Sequence, residues 1–277
     1  MNKIIQFTLI ASILSLCFGC EQDQYAIERK YYQTVKQAEK IFQNPHATPN
    51  NELNRVVSIL NKFSLQFRDN SLAVNAEFNV AQLYIVKEEY GAARAQLKKI
   101  IAKYNKFDAI CSEAVFLTGK SYELENKWGT ALTQYNKILS EYPVTPKGIT
   151  LPIYLIQYYK QKLDPDKMRQ AGRNAINHYN NLAEKYPDSP LALRAQTLAA
   201  ECYLFMQEPL NAINALNDVV EKYKSKTDTA AIVLNIALIY AREIKDKAKA
   251  KETLELLIKD YPDSKLIKNA KEILKRI

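Results

Sequence analysis

The side chains that could do chemistry are few and far apart. The 277-residue chain has two histidines, His46 in "NPHATP" and His178 in "NAINHYNNLA". Neither has a second histidine or a cysteine at the short spacing a tetrahedral metal site needs. Carboxylate pairs such as Glu88-Glu89 sit at the ends of helical runs, where solvent is their ordinary partner. There is no glycine-rich phosphate loop and no G-x-S-x-G. No nucleophile stands beside a base. These residues predict no enzyme, no metal, no cofactor and no small-molecule substrate. Cys111 and Cys202 lie 91 positions apart within apolar helical stretches. They read as buried small hydrophobes rather than as a disulfide.

What remains is a scaffold. The chain is 47% hydrophobic and 25% charged, with only 6 glycines and many Ala, Leu, Ile, Lys and Glu, a composition that favours helix. An aromatic closes each apolar run, at Phe67, Tyr104, Tyr142, Tyr186, Tyr223 and Tyr261, with spacings of 37, 38, 44, 37 and 38. A period of this size marks a stacked array. Eleven positions before each tyrosine marker stands an alanine: Ala93, Ala131, Ala175, Ala212 and Ala250. Further back, a small residue precedes a tyrosine by three, as Ala81/Tyr84, Gly119/Tyr122, Ala200/Tyr203 and Ala237/Tyr240. In one unit the pair is Ile156/Tyr159. Small residues belong where two helices cross closely, because a larger side chain would wedge them apart. The tetrapeptide YPDS at 186–189 and 261–264 reads as punctuation: proline stops one helix, and Asp-Ser caps the next. Twelve of the 18 tyrosines fall at repeat positions and read as structural, not as a base-stacking surface.

This pattern resembles the tetratricopeptide repeat, best in "TGKSYELENKWGTALTQYNKILSEYP" through Gly119, Tyr122, Ala131, Tyr135 and Pro143. The resemblance implies an all-α, right-handed α-α superhelix of helical hairpins. Its expected parts are a degenerate repeat at 25–70, repeats at 71–107, 108–145, 146–189, 190–226 and 227–264, and a capping helix at 265–277. The units are longer than the usual ~34 residues. The 146–189 unit has seven more residues between Tyr159 and Ala175, with a bend expected at Asp164-Pro165 and both helices extended. Such a hairpin tip is a candidate contact site.

The resemblance also assigns the first helix of each hairpin to a concave, partner-facing side. Carried over position by position, the partner-binding candidates are Phe78, Gln82 and Ile85; Phe116, Lys120 and Glu123; Ile153, Gln157 and Lys160; Thr197, Glu201 and Leu204; Leu234, Leu238 and Ala241. The Lys/Asn/Arg set with which some members grip an acidic tail is not found. An extended or helical peptide held by apolar contacts fits better.

The start of the chain points to an address. Lys3 precedes an apolar run from Ile4 to Phe18, too short for an ordinary membrane span and right for a secretory signal. Gly19-Cys20 closes it and resembles a bacterial lipobox, with 1–19 as the signal, Cys20 as the acylated (palmitate-bearing) residue and 20–23 as a short tether. Without 1–19 the chain carries 38 basic and 30 acidic residues, with acids spread between the cations; a nucleic-acid site is not expected. The linkers, long repeats and lipid site resemble the TPR lipoprotein of the outer-membrane β-barrel assembly machine, or the TPR cell-division coordinator of the Tol-Pal system. That resemblance implies an interaction scaffold anchored in the outer membrane and facing the periplasm, with envelope proteins as partners. The alternative is a scaffold for a polysaccharide-export, peptidoglycan or cell-division complex.

Overall fold

The computed structural model describes residues 24–277. The signal segment 1–19, Cys20 and the tether to 23 lie outside the described residues. Those described form α-helices, one π-helical segment and turns, with no strand. The chain divides into two compact units, 1–140 and 141–277.

The first unit holds α1 (residues 24–43), α2 (Asn50–Gln66), α3 (Ser71–Val86), α4 (Tyr90–Lys103), α5 (Asp108–Leu124) and α6 (Trp128–Glu141). Successive helices pack on one another as hairpins. The reason is legible in α2, where Leu53, Val56, Val57, Leu60 and Phe63 form one buried stripe at helical spacing. It meets Ala38 and Ile41 of α1 and Ala76, Val80 and Leu83 of α3. Each large aliphatic side chain buried this way contributes about 1.5–3 kcal/mol. A polar knot joins α2, α3 and α4. The Glu77 carboxylate accepts from Ser64 Oγ at 2.5 Å and from Lys103 Nζ at 2.6 Å.

The second unit holds α7 (Pro146–Gln161), α8 (Pro165–Lys185), α9 (Pro190–Phe205), α10 (Pro209–Tyr223), α11 (Ala230–Ile239), the π-helical Tyr240–Ile244, α12 (Lys247–Asp260) and α13 (Ile267–Leu274). Proline opens four of these helices, at the position where its missing N–H costs nothing. Ser189 caps α9 through the Ala192 N–H at 3.1 Å, so the first YPDS acts as the sequence predicts. The second does not repeat it. Lys265 stands where Pro190 stood, Ser264 Oγ accepts from Leu266 N at 3.3 Å, and α13 begins only at Ile267.

The five hairpin tips from α3/α4 to α11/α12 use one device. Glu88, Asn126, Leu163, Gln207 and Lys245 all have left-handed backbone, with φ of 54–63°. In four hairpins the next N–H returns to the tyrosine carbonyl five residues back, as from Glu89 to Tyr84 and from Lys127 to Tyr122, both at 2.8 Å. This is the Schellman closure. The fifth hairpin has one residue more between its tyrosine and its tip. There the Asp246 N–H reaches back six positions to Tyr240, and the surplus is absorbed as the π-helical turn.

The long 146–189 unit corrects an expectation. Helix α7 has 16 residues, as α3 and α9 have; only α8, with 21, is extended. Seven residues make about two full turns, so Ala175 keeps its inward phase at 2% exposure.

Helix α8 packs on an α7 that holds an internal proline. Pro152 lies inside α7 and has no N–H to offer the carbonyl of Gly148 four residues back. The His178 ring of α8 lies near that carbonyl, with its Nε2 buried and without a hydrogen-bond partner. One residue on, the Tyr179 hydroxyl donates to the Ile149 carbonyl at 2.7 Å. Burial holds His178 neutral, with a pKa below its ordinary value, and the nearby Gly148 carbonyl only partly opposes this. The same burial pushes the Tyr179 hydroxyl far up.

Candidate partner-binding surface

The small positions do what close crossing requires. Ala81, Ala200 and Ala237 on the first helices and Ala93, Ala131, Ala175, Ala212 and Ala250 on the second are all at most 2% exposed. Gly119 is buried as well. Tyr84, Tyr122, Tyr203 and Tyr240 stand half-buried beside the crossings. The Arg94 guanidinium lies 4.2 Å from the centre of the Tyr122 ring and pairs with Glu125 at 2.8 Å. Cys111 and Cys202 are buried and free, with the Cys202 thiol pushed up to about 12 by desolvation.

In the first unit, α3 and α5 present Phe78, Gln82, Phe116, Lys120 and Glu123 half-buried. Ile85 is corrected: at 9% exposure it is packed with Ala93, Leu97 and Ile100. Lys120 and Glu123 pair with each other at 2.6 Å, and Glu123 also accepts the Tyr135 hydroxyl at 2.8 Å. Phe116 packs on the Tyr135 ring with centroids 5.7 Å apart. These three side chains are therefore tied to the hairpin's own aromatic.

In the second unit, Gln157, Lys160 and Glu201 are exposed, while Ile153, Thr197, Leu204, Leu238 and Ala241 are half-buried. Thr197 spends its hydroxyl on the Leu193 carbonyl at 2.8 Å. Leu234 is corrected too: it is 8% exposed, inside the cluster of Val233, Leu254 and Leu257. Ile85 is carried over from four positions after its small residue and Leu234 from three before, and each of the two turns toward the paired helix. Ala241 belongs to the π-helical segment, which alters its direction.

Two of the candidates, Lys160 and Leu204, meet at a cleft of about 490 Å³ at the hairpin tips, together with Leu163, Met168, Phe205 and Glu243. Lys160 Nζ lies 5.9 Å from the Phe205 ring centre. Leu163 is 88% exposed in left-handed backbone, where the other four tips carry Glu, Asn, Gln and Lys. A bulky apolar residue pays for that conformation and gains nothing from burial. The sequence marks this tip of the long 146–189 unit as a candidate contact site without singling out Leu163. A second cleft lies among α10, α11 and α12, lined by Val220, Ile236, Tyr240 and Leu256, where no sequence candidate falls.

Among the described residues, no three His, Cys, Asp or Glu side chains are grouped to hold a metal ion. No described helix is long and apolar enough to cross a membrane.

The tetratricopeptide repeat family model matches residues 113–143 and 231–264. No curated protein matches the sequence. Solved structures similar to this chain include the C-terminal part of a TPR repeat-containing protein from Cytophaga hutchinsonii, at 16% identity over 81% of this chain and 78% of that one, with a TM-score of 0.42. A tetratricopeptide repeat protein from Parabacteroides merdae matches at 13% identity, 89% and 98% coverage and a TM-score of 0.33. The TPR2AB domain of yeast Sti1, solved with an Hsp90 peptide, matches at 15% identity, 88% and 97% coverage and a TM-score of 0.32. Likenesses this low carry nothing about what this chain binds. The two family matches fall on α5/α6 and α11/α12, and hairpins with the same inward alanines flank them. Two stretches of the chain, 113–143 and 231–264, thus match the tetratricopeptide repeat, and the described residues are all-α, built from consecutive helical hairpins.

Proposed function

We propose that this protein is a lipid-anchored scaffold of a bacterial cell envelope that holds another protein on its helical hairpins, in the assembly of outer-membrane proteins. The repeat family supports the scaffold. The apolar run ending at Gly19-Cys20 supports export and acylation at Cys20. The observation that carries partner binding is Leu163, an exposed leucine held in costly backbone at the mouth of a cleft where Met168, Leu204 and Phe205 lie among Lys160, Asp164, Gln207 and Glu243. The partner enters as an extended or helical segment whose apolar side chain fills the cleft. Lys160 and Glu243 at the rim select its polar neighbours. Gln157 and Glu201 continue that surface along α7 and α9.

Cross-linking mass spectrometry on intact cells tests this reading. Links to β-barrel assembly components support it. Links to export, peptidoglycan or division components replace the complex but keep the scaffold. A protein linked to nothing in the envelope contradicts it.

A further inference from the structure

The outer face of α1 has a composition that partner binding does not explain. Thr34, Ala38 and Ile41 turn inward, with Ile27, Tyr31 and Phe42 packed beside them. Directly opposite, at helical spacing, stand Tyr25, Arg29, Tyr32, Lys36 and Lys40, all exposed. The two tyrosines are 68% and 58% exposed, one face of one helix apart. Lys36 lies over the Tyr32 ring at 4.8 Å. Glu28 and Glu39 flank one side of this strip. Tyrosine with long-stemmed cations is the combination that suits a bilayer interface: the ring takes the boundary layer, and the charged heads snorkel to phosphate.

Chain length supplies the second observation. Cys20 is four residues from Gln24, so it lies within about 14 Å of the first turn of α1 in any conformation. Tyr32 is only about 12 Å further along the helix. A lipid at Cys20 keeps the first turns of α1 close to the surface, and the Tyr/Lys/Arg strip gives the helix a reason to lie along it.

We propose that the Tyr25–Lys40 face of α1 is a membrane-contact surface that takes the anionic phosphate headgroups of the bilayer holding Cys20. It lays the first hairpin along that bilayer, so the anchor fixes orientation as well as attachment. The inference rests on the lipid-anchor reading.

The test uses the full chain, purified from membranes and reconstituted in vesicles of phosphatidylethanolamine and phosphatidylglycerol. Tyr32→Cys and Leu163→Cys variants each carry one fluorophore, since Cys111 and Cys202 are buried. Quenching by headgroup-labelled lipid is expected to be several-fold stronger at position 32 than at 163. Adding Arg29→Glu, Lys36→Glu and Lys40→Glu is expected to remove most of the difference while the acyl mass persists. An intact acyl mass with equal quenching at both positions overturns the surface and leaves the anchor standing. A protein with no acyl mass overturns both.

Discussion

Gly119 is the seat of Tyr135: a β-carbon at position 119 would lie 2.5 Å from Cε1 of that ring. The ring is fully buried, and its hydroxyl is fixed on Glu123, so it cannot swing away. The equivalent pairs elsewhere are Ala81 with Leu97, Ala200 with Leu216 and Ala237 with Leu254, each within one cluster. At Gly119 the first helix gives up a methyl group and the second gains a ring, whereas in the long unit the Tyr179 ring packs with Ile156.

Gly119→Ala is therefore expected to destabilise the protein. The substitution gains about 1 kcal/mol of helix propensity. Overpacking against a pinned ring costs about 1–3 kcal/mol and prevails. Adding Tyr135→Leu, which recreates the alanine–leucine pair, recovers part of the loss. Chemical denaturation of the single and double variants checks this; strictly additive losses would refute the pairing.

Leu163→Asn should raise stability by about 1 kcal/mol, because asparagine tolerates left-handed backbone and leucine does not. The same change should weaken partner capture. A variant that is more stable and still binds fully would remove Leu163 from the binding surface.

Much of the fold is legible in the residue pattern. The inward alanines, the half-buried tyrosines and the first YPDS cap all stand where spacing puts them. The partner surface is less legible. Its candidates came from positions counted off a generic repeat, and counting cannot tell that Ile85 and Leu234 turn inward. Nor does it show that Glu123 serves Tyr135. The one-residue surplus after Tyr240 is visible as a number, but its conversion to a π-helical turn depends on packing between α11 and α12.

Loss of the part-buried His178 ring removes its edge-on contact with the Tyr179 ring, 5.6 Å away between centroids, so His178→Ala should cost about 1 kcal/mol. Chemical denaturation checks this, and an unchanged stability would contradict the packing.

Acid should act through the same residue. Desolvation holds the folded pKa of His178 below 6.5, its ordinary value, so the unfolded chain binds the proton first as pH falls. Its contribution is fully present above 6.5 and is lost as pH drops below that value toward the folded pKa. Replacing His178 should flatten the stability profile in that window; an unchanged slope would contradict the buried neutral ring.

Deleting Arg242, exposed within the π-helical segment, should restore the tip spacing of the other hairpins. The expected cost is below about 1 kcal/mol. A melting temperature lowered by many degrees would mean that the extra residue is structurally required.

Photo-cross-linking from position 163 in living cells addresses the scaffold claim most directly, with exposed Lys251 on α12 as the control position. A discrete adduct with one envelope protein at 163, missing at 251, is the predicted result. The same diffuse adducts at both positions, or none at 163, would contradict it.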